Sequence, residues 1–476
     1  MKIRRRKKEE TFNIKDKIKA DFHNSNDLQH KSLQLGSYNV SLLFLENITD
    51  KTVIQKAIIT PLLSFKEQTE ALSKSTIPEL LPLETIHSIK DPDAISTFLI
   101  DGYTIILVTK ESKQDVHALN TAQFIKRKPE EPVNEPTISG PRDGFIEAID
   151  DNKALLRMHL KTKDLLFEKF TVGTEVSTHL FVAYIKGKAN VELIEEIKER
   201  ISLVKAEYIG DAGVLEQLLE RNHLSVFPEL TITQHPTKVA NALMEGRVSI
   251  LTDGSPTALI APTTLNMLLQ VQDDYYFKWI PASFLRILSF VTALISVLLP
   301  ATYISFVSFH HGLIPTGLAI SLSKTREGVP FPSVIEAFLM EFTIEILRQA
   351  GVRLPKPIGS TVSIVGAIVI GETAVSSGIV SPMMVMVISF TAICSFTVAN
   401  YELSLALRTI RFFILLGAAT LGIYGMLITI FIVTTHLVKL RSFTVPYLEP
   451  FGPYYVKRWK DSIIRFPFRQ SKDGTK

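Results

Sequence analysis

The hydrophobic pattern divides the chain near residue 280. Before this point, apolar runs of strand or helix length alternate with polar turns. After it, long stretches are almost free of charge, and neither Ile287 to Ser323 nor Phe412 to Val438 contains Asp, Glu, Lys or Arg. Because a helix of roughly 20 apolar residues crosses a bilayer, the pattern predicts a cytosolic α/β region, built of two small α/β subdomains, followed by a polytopic α-helical membrane domain.

The first α/β subdomain is predicted at 33–126. Alternating apolar residues in YNVSLLFLENITD favour a strand from Tyr38, and DKTVIQKAIITPLL has the spacing of a helix that ends near Pro61. ISTFLIDGYTIILVTK is typical of a helix end, an Asp-Gly turn and a strand. Residues 1–32 hold ten Lys/Arg against five Asp/Glu, so we expect a basic tail there that is either disordered or a loose helix.

A linker rich in proline and glutamate, RKPEEPVNEPTISGP, is predicted at 127–141, ahead of a second α/β subdomain at 142–280. In that subdomain THLFVAYIKG predicts a strand, NVELIEEIKERISLV and GVLEQLLE predict helices, and GRVSILTDGSPTALIAP predicts two strands joined by a turn. The sequence has no phosphate-binding glycine motif, and the histidines of this region lack metal-ligand spacing. We therefore expect no enzyme, no catalytic residues, no metal and no cofactor.

The helical transmembrane domain is predicted at 281–445. Its apolar runs favour crossings at about 285–307, 358–378, 381–399 and 412–435. The sequence has a single cysteine, Cys394, so an intramolecular disulfide is excluded. This cysteine lies inside one of the apolar runs.

The number of crossings depends on two further segments. Residues 309–323 are apolar but short and broken by Pro315, so they are either re-entrant or a fifth crossing. The tail at 446–476 holds seven Lys/Arg against three Asp/Glu. The positive-inside rule then favours an even number of crossings, with the N-terminal domain and this basic tail both cytoplasmic, and a re-entrant segment. A crossing through 333–349 would also give an even number, but its three glutamates argue against it.

The helix predicted at 358–378 has two faces. One face, apolar with a carboxyl and a hydroxyl, suits the lining of a water-filled path and carries Val362, Val365, Val369, Glu372 and Ser376. The opposite face has small residues that let another helix approach closely, namely Ala367, Gly371, Ala374 and Gly378. The alternative for Glu372 is a hydrogen bond between helices.

A second helix, predicted at 333–351, carries Glu341, Glu345 and Arg348 on one face and apolar residues over much of the rest. This profile fits a helix at the membrane interface or one that contacts a neighbouring subunit. The alternative is a self-sufficient surface helix.

Several long motifs resemble one known family. LSKTREGVPFPSVIEAFLMEFTIEILRQAGVRLPKPIGSTVSIVGAIVIGETAVSSGIVSP is similar to the signature core of the A subunits of bacterial spore germinant receptors, the GerA family. HLVKLRSFTVPYLEPFGP, GPRDGF, PTKVANALMEGRVSILTDGSP and QDDYYFKW match in order, so the resemblance covers roughly residues 40–455. The chain departs from the family where it has Thr233-Gln234-His235-Pro236-Thr237 in place of a Thr-Glu-Arg-Pro-Asp run, Glu372 in place of Gln, and Thr444 in place of Gly.

The resemblance implies a subunit in the inner membrane of a dormant spore. It implies partners, a transporter-like B subunit and a lipoprotein C subunit, self-association into an oligomer, and a nutrient-gated channel for cations. Contact with membrane lipid is expected from the basic ends, and no nucleic acid is expected. In such an assembly we expect the loop with Arg326, Glu327, Pro330 and Pro332 to couple partner subunits to the pore. A plain membrane-exit loop is the alternative.

Other functions compete with a channel subunit. A secondary transporter is disfavoured because the membrane half shows no internal repeat, and uptake of a labelled substrate would identify one. A scaffold subunit would tolerate pore-face substitutions but not loop substitutions. A membrane enzyme using His310, His311 and Glu327 lacks any recognised catalytic spacing.

Overall fold

The computed structural model describes residues 14–36, 38–64, 80–83, 85–110, 113–123, 135, 139–353, 369, 371–452 and 462–466. These residues form two compact units. The first holds both α/β subdomains, and the second holds the helical part from Thr263 onward together with the loop Asn222–Glu229. The domain limits predicted from the sequence stay predictions.

The strands are β1 Leu28–Leu35, β2 Tyr38–Leu45, β3 Ile86–Ser88, β4 Tyr103–Lys110, β5 Lys113–Asn120, β6 Leu165–Val172, β7 Thr178–Ile185, β8 Thr231–Thr233, β9 Val248–Thr252, β10 Ala258–Ala261, β11 Arg441–Ser442 and β12 Val445–Pro446. The helices are α1 Ile14–Asp21, α2 Lys51–Val53, α3 Thr60–Ser64, α4 Ala94–Ile100, α5 Ile149–His159, α6 Val191–Leu203, α7 Ala212–Leu219, α8 Pro236–Met244, α9 Leu265–Leu269, α10 Trp279–Ile304, α11 Thr316–Thr325, α12 Ser333–Arg353, α13 Pro382–Phe396, α14 Tyr401–Leu421 and α15 Ile423–Lys439.

The first sheet has the order β1-β2-β4-β5-β3, and its described pairs are antiparallel. Successive apolar residues of β2 point to opposite faces, as the period of two in a strand requires. Leu42 therefore packs with Ile58 on one face, while Leu43 packs with Leu99 on the other. The predicted strand from Tyr38 and the helix, Asp-Gly turn and strand near Gly102 are confirmed. The predicted helix continues past Pro61 to Ser64, through a π-helical stretch at Ile54–Ile59.

The second sheet has the order β6-β7-β9-β10-β8 and is also antiparallel. Phe181 lies opposite Leu251, and both belong to a core closed by α5 and α8. The strands and helices predicted from residue 178 to residue 262 are all present as β7, α6, α7, β9 and β10.

The last part of the predicted basic tail at 1–32 is ordered, since it forms α1, as the helical alternative predicted, and the start of β1. Ile18 and Phe22 of the α1 segment lie one turn apart and are buried, and β1 begins at Leu28. Between them Asp27 receives hydrogen bonds from Arg157 Nε at 2.8 Å and Arg157 Nη2 at 3.1 Å, with both side chains almost fully buried. A partner 130 residues away orders this segment, and local charge counts carry no information about such a partner.

In the helical unit, α10 and α14 run in the same direction, and α12 and α13 run together in the opposite direction. The hydroxyls of Ser308 and Ser333 bond at the far end of α10, and Thr292 of α10 bonds Thr397, which follows α13. At the near end Arg286 Nε of α10 donates to Asp274 Oδ2 at 3.0 Å. A polar layer formed by 263–278 and 440–452 therefore lies at the end of α10 where the chain enters.

The crossing predicted at 412–435 is wrong because Gly422 interrupts it. Gly422 has φ +59° and ψ −135°, a combination that only glycine adopts readily, and it separates α14 from α15. The two helices form a tight hairpin in which a Cβ on Gly417 would lie 2.7 Å from the Gly425 carbonyl oxygen. The apolar run is thus the second half of one helix and the first half of the next.

The alternative of a fifth crossing at 309–323 is also excluded by length. Only α11, Thr316–Thr325, is an α-helix there, and its 10 residues span about 15 Å, half of a bilayer core. Among the residues of α11, Leu322 alone is buried.

Candidate functional site

Helices α12 and α14 face each other through a ladder of ion pairs. Arg411 Nη1 donates to Glu341 Oε2 at 3.0 Å and to Glu341 Oε1 at 3.2 Å. Each of these two side chains is only 4% exposed. One turn along, Arg408 Nη1 donates to Glu345 Oε1 at 2.8 Å. At the end of the ladder Arg348 Nη2 donates to Ser395 Oγ at 2.6 Å.

The geometry places the three predicted subunit-contact residues, Glu341, Glu345 and Arg348, on one helix face as expected. Their nearest partners belong to the same chain, and their contact with another subunit stays a prediction. Sequence reasoning missed Arg408 and Arg411. Their signal was present: two arginines three residues apart lie in a mostly apolar helix whose one other charged residue is Glu402, and the acids of α12 have a similar spacing.

Glu336 joins three elements of the helical unit. Its carboxylate is buried, lies 2.9 Å from Arg326 Nη2, and accepts a hydrogen bond of 2.9 Å from the backbone N–H of Ser381. The contact with Arg326 is an ion pair without hydrogen-bond alignment. Ser381 caps α13 by accepting from Met384 N. One carboxylate therefore holds the loop before α12 against the start of α13, and sequence reasoning missed it.

The predicted coupling loop lies next to Gly378, the last residue of the helix predicted at 358–378. Glu327, Pro330 and Pro332 are exposed, whereas Arg326 is held by Glu336. A Cβ on Gly378 would meet the carbonyl oxygen of Gly328 in this loop at 3.5 Å. A groove of about 420 Å³ runs along the loop and α11, lined by Thr316, Ala319, Ile320, Ser323, Lys324 and Glu327.

The described residues of the helix predicted at 358–378, namely 369 and 371–378, fall on two faces. Gly371 and Ala374 are buried, and a Cβ on Gly371 would lie 3.7 Å from Val385 of α13. Val369, Glu372 and Ser376 are exposed. Gly378 is half-buried at the helix end. Three of the predicted residues, Val362, Val365 and Ala367, lie outside the described residues.

In the α/β region, Glu135 of the predicted linker is held by the loop that departs from the family pattern. Thr233 Oγ1 donates to its carboxylate at 2.6 Å, Gln234 N at 3.1 Å and Lys238 Nζ at 2.9 Å. Burial raises the pKa of Glu135, but the Lys238 charge and these hydrogen bonds outweigh burial and hold the pKa below its usual range. This loop makes a polar contact even though the acidic and basic residues usual in the family are missing.

The side chains of the described ranges offer no group of His, Cys, Asp and Glu that would hold a metal ion. Cys394 is buried.

Within the part of the chain that the structure describes, two helices are apolar enough by length and composition to cross a membrane, Trp279–Phe309 and Tyr401–Leu421. Of their most apolar windows, 39% and 44% is buried within the chain, and the rest is half-buried or exposed. Exposed apolar side chains continue along α15, where Phe431 is 72% exposed.

Comparison with known proteins gives consistent matches. The chain is 39% identical over 427 residues to spore germination protein A1 of Bacillus subtilis (strain 168), covering 90% of this chain and 87% of that one. It is 36% identical over 471 residues to spore germination protein GerLA of Bacillus cereus, covering 97% and 94%. The crystal structure of the N-terminal domain of the A subunit of the Bacillus megaterium spore germinant receptor GerK3 aligns with a TM-score of 0.39 and 24% identity, over 52% of this chain and 92% of that one.

The family resemblance seen in the motifs is confirmed. The family model described as Bacillus/Clostridium GerA spore germination protein matches residues 16–476. This match extends from α1 to the end of the chain and so includes both the α/β sheets and the helical unit. The chain belongs to the GerA family of spore germination proteins.

Proposed function

We propose that this chain is a membrane subunit of a nutrient germinant receptor that triggers spore germination. Family membership supports the role in germination. The exposed apolar surfaces of α10, α14 and α15 support a place in a membrane, because side chains such as Phe284, Phe413 and Phe431 would otherwise face water.

The proposed location is the spore inner membrane, and the proposed topology is multi-pass with both ends cytoplasmic. The helices α10, α12, 371–376, α13, α14 and α15 alternate in direction, which gives an even number of crossings. The residues after α15 return to the polar layer at the start of α10, since Leu265 N donates to the Tyr447 carbonyl at 2.9 Å. This arrangement agrees with the positive-inside rule for the basic tail.

Within the receptor, copies of this chain form an oligomeric, nutrient-gated cation channel. The observation that carries this step is the pair of faces at 369 and 371–376, the described part of the helix predicted at 358–378. Gly371 and Ala374 pack inward, while Val369 and Glu372 remain exposed among the residues that the structure describes. In an oligomer the valines would form an apolar constriction and Glu372 a ring that attracts cations.

The partners are a transporter-like B subunit and a lipoprotein C subunit. Their signal reaches the pore through the loop with Arg326, Glu327, Pro330 and Pro332, because that loop meets Gly378 directly. Glu341, Glu345 and Arg348 contribute to a neighbouring subunit's contact surface through the partly exposed end of their ladder, where Glu345 retains 28% exposure.

The channel is tested by ionic current through the purified protein in planar bilayers, with and without its partner subunits. We expect Val365→Ala and Val369→Ala to increase the closed-state current, because smaller side chains admit water to the constriction. Glu372→Gln should lower cation current or shift its pH dependence while oligomer assembly persists. Val438→Ala, an exposed valine of α15, is the matched control.

An absence of current from every variant, in verified oligomers with partners and nutrient present, would reject the channel and favour a scaffold subunit. Unchanged current in Glu372→Gln from pH 5 to pH 8 would remove Glu372 from ion conduction.

A further inference from the structure

The loop Asn222–Glu229 lies in the α/β part of the sequence but belongs to the helical unit. Its tip is apolar and uncovered: Leu224 is 94% exposed and Val226 is 43% exposed. Leu224 is the most exposed of the large apolar side chains in the ranges the structure covers. An apolar side chain that is so fully exposed on a fixed loop indicates contact with an apolar partner.

The loop is fixed beside the last turn of α15. Ser225 Oγ lies 3.0 Å from His436 Nε2, and the Phe227 ring stacks on the His436 ring at 6.2 Å with an interplanar angle of 27°. At its end, Ser442 Oγ donates to the Glu229 carbonyl oxygen at 2.5 Å. These contacts hold the tip at the level of one particular helix turn, so its position is built into the fold.

The loop tip lies beside the end of α15, where the exposed side chains change along the chain from apolar to basic. Along α15, Ile432 is 61% and Val438 is 63% exposed, and the exposed cations Lys439 and Arg441 follow. A change from exposed apolar to exposed basic side chains at a helix end is what the boundary between hydrocarbon and lipid headgroups requires. The loop tip sits at this change.

We propose that Leu224 and Val226 insert into the interfacial layer of the bilayer beside the end of α15, so that the loop is a membrane-dipping anchor. The occupant is the lipid bilayer, with anionic headgroups placed against Lys439 and Arg441. A single apolar loop tip can enter the interfacial layer without forming a helix. Its apolar side chains are stabilised when lipid removes them from water, and its backbone polar groups stay near the headgroups. This inference rests on the membrane location proposed above.

The experiment uses the full chain in nanodiscs of phosphatidylethanolamine and phosphatidylglycerol. Replacement of the single cysteine by Cys394→Ser leaves a background in which one introduced cysteine carries a nitroxide label. The test positions are Leu224→Cys and Val226→Cys. Phe431→Cys on α15 is the lipid reference, and Leu203→Cys of α6, 65% exposed, is the water reference. The accessibility of each label to oxygen, which concentrates in lipid, is compared with its accessibility to a water-soluble nickel chelate.

We expect the oxygen-to-nickel ratio at 224 and 226 to exceed that at 203 severalfold and to approach that at 431. A ratio at both test positions equal to that at 203 would overturn the anchor while leaving the membrane domain intact. Shielding from both reagents would overturn it in favour of a protein occupant, such as a second copy or a partner subunit. A ratio at 431 equal to that at 203 would overturn the membrane location itself, and the anchor with it.

Discussion

At the scale of single residues, Glu336 connects several elements of the helical unit. It is buried, and its two oxygens meet groups from two different elements, Arg326 and Ser381. Glu336→Gln retains the size of the side chain but leaves Arg326 without its counter-charge. Since the Arg326 side chain is 20% exposed and water compensates in part, we expect a loss of about 1–3 kcal/mol of stability, measured as a lower thermal midpoint in detergent.

The matched control is Glu327→Gln, which removes the same charge from an exposed neighbour in the same loop. The two variants separate a general charge effect from the specific contact. Equal midpoints for Glu336→Gln and Glu327→Gln would show that the buried pair does not hold the loop.

Also at the residue scale, Glu135 gives the α/β region a defined response to acid. Its pKa is lowered in the folded chain, so it contributes stability above its unfolded pKa of about 4.3, and that contribution is lost as the pH falls through the folded value. We expect hydrogen–deuterium exchange to show stronger protection at 233–238 in the wild type than in Glu135→Gln at pH 7. The difference should shrink below pH 4.3.

Comparison of the two proteins at equal pH cancels the intrinsic pH dependence of exchange. Glu199→Gln, an exposed glutamate of α6, is the control and should match the wild type throughout. A constant difference between wild type and Glu135→Gln from pH 7 to pH 3 would mean that the charge of Glu135 is not what holds the loop.

At the scale of elements, the period of the sequence predicted most of the α/β strands and helices, because those elements bury one face or two against a local neighbour. The periodicity failed to predict the local structure where a residue far away in the sequence determines it. The α1 and β1 segment depends on Arg157, and α12 carries three glutamates whose partners, Arg326, Arg408 and Arg411, lie elsewhere in the chain. A count of charges in a window treats those glutamates as obstacles to a crossing, whereas paired charges inside a bundle are tolerated.

The hairpin of α14 and α15 yields an element-scale prediction. A Cβ on Gly425 would collide with the backbone carbonyl of Gly417, and backbone atoms cannot move aside as a side-chain tip does. We expect Gly425→Ala to separate the two helices, with a cost of order 1–3 kcal/mol and a lower thermal midpoint. Gly317→Ala is the control, since Gly317 also lies in a helix and its added Cβ meets no atom within 4 Å.

Alanine favours a helix over glycine by about 1 kcal/mol, so Gly317→Ala should be neutral or stabilising. If Gly425→Ala were equally stable, the close approach of α14 and α15 would be wrong.

At the scale of the whole molecule, the sequence predicted the order of an α/β region and a helical region, and its long motifs predicted the family. Hydropathy alone could not give the path of the chain in the membrane. Gly422 turns one apolar run into a hairpin, and the ion pairs of α12 allow a further traverse. The predicted path and the proposed path both have an even number of crossings, but they place different residues at each membrane surface.

The two paths make opposite predictions for Tyr424. In a single crossing at 412–435 this residue would lie in the middle of the bilayer. In the hairpin it lies two residues beyond the turn, with its ring 5.8 Å from that of His310 at the far end of α10. In the Cys394→Ser background, we therefore expect Tyr424→Cys and Gly312→Cys to react with a membrane-impermeant maleimide from outside intact cells.

Lys439→Cys should react only after the cells are permeabilised, because α15 returns the chain to the side on which α10 begins. Tyr424 is 69% exposed, so steric burial would not explain a failure to react. If Tyr424→Cys stayed unlabelled from either side while Gly312→Cys reacted, residue 424 would lie in the bilayer, and the glycine turn would not reach the membrane surface. Labelling of all three positions from outside would instead reverse the proposed orientation of the basic tail, since an odd number of crossings would then separate it from the start of α10.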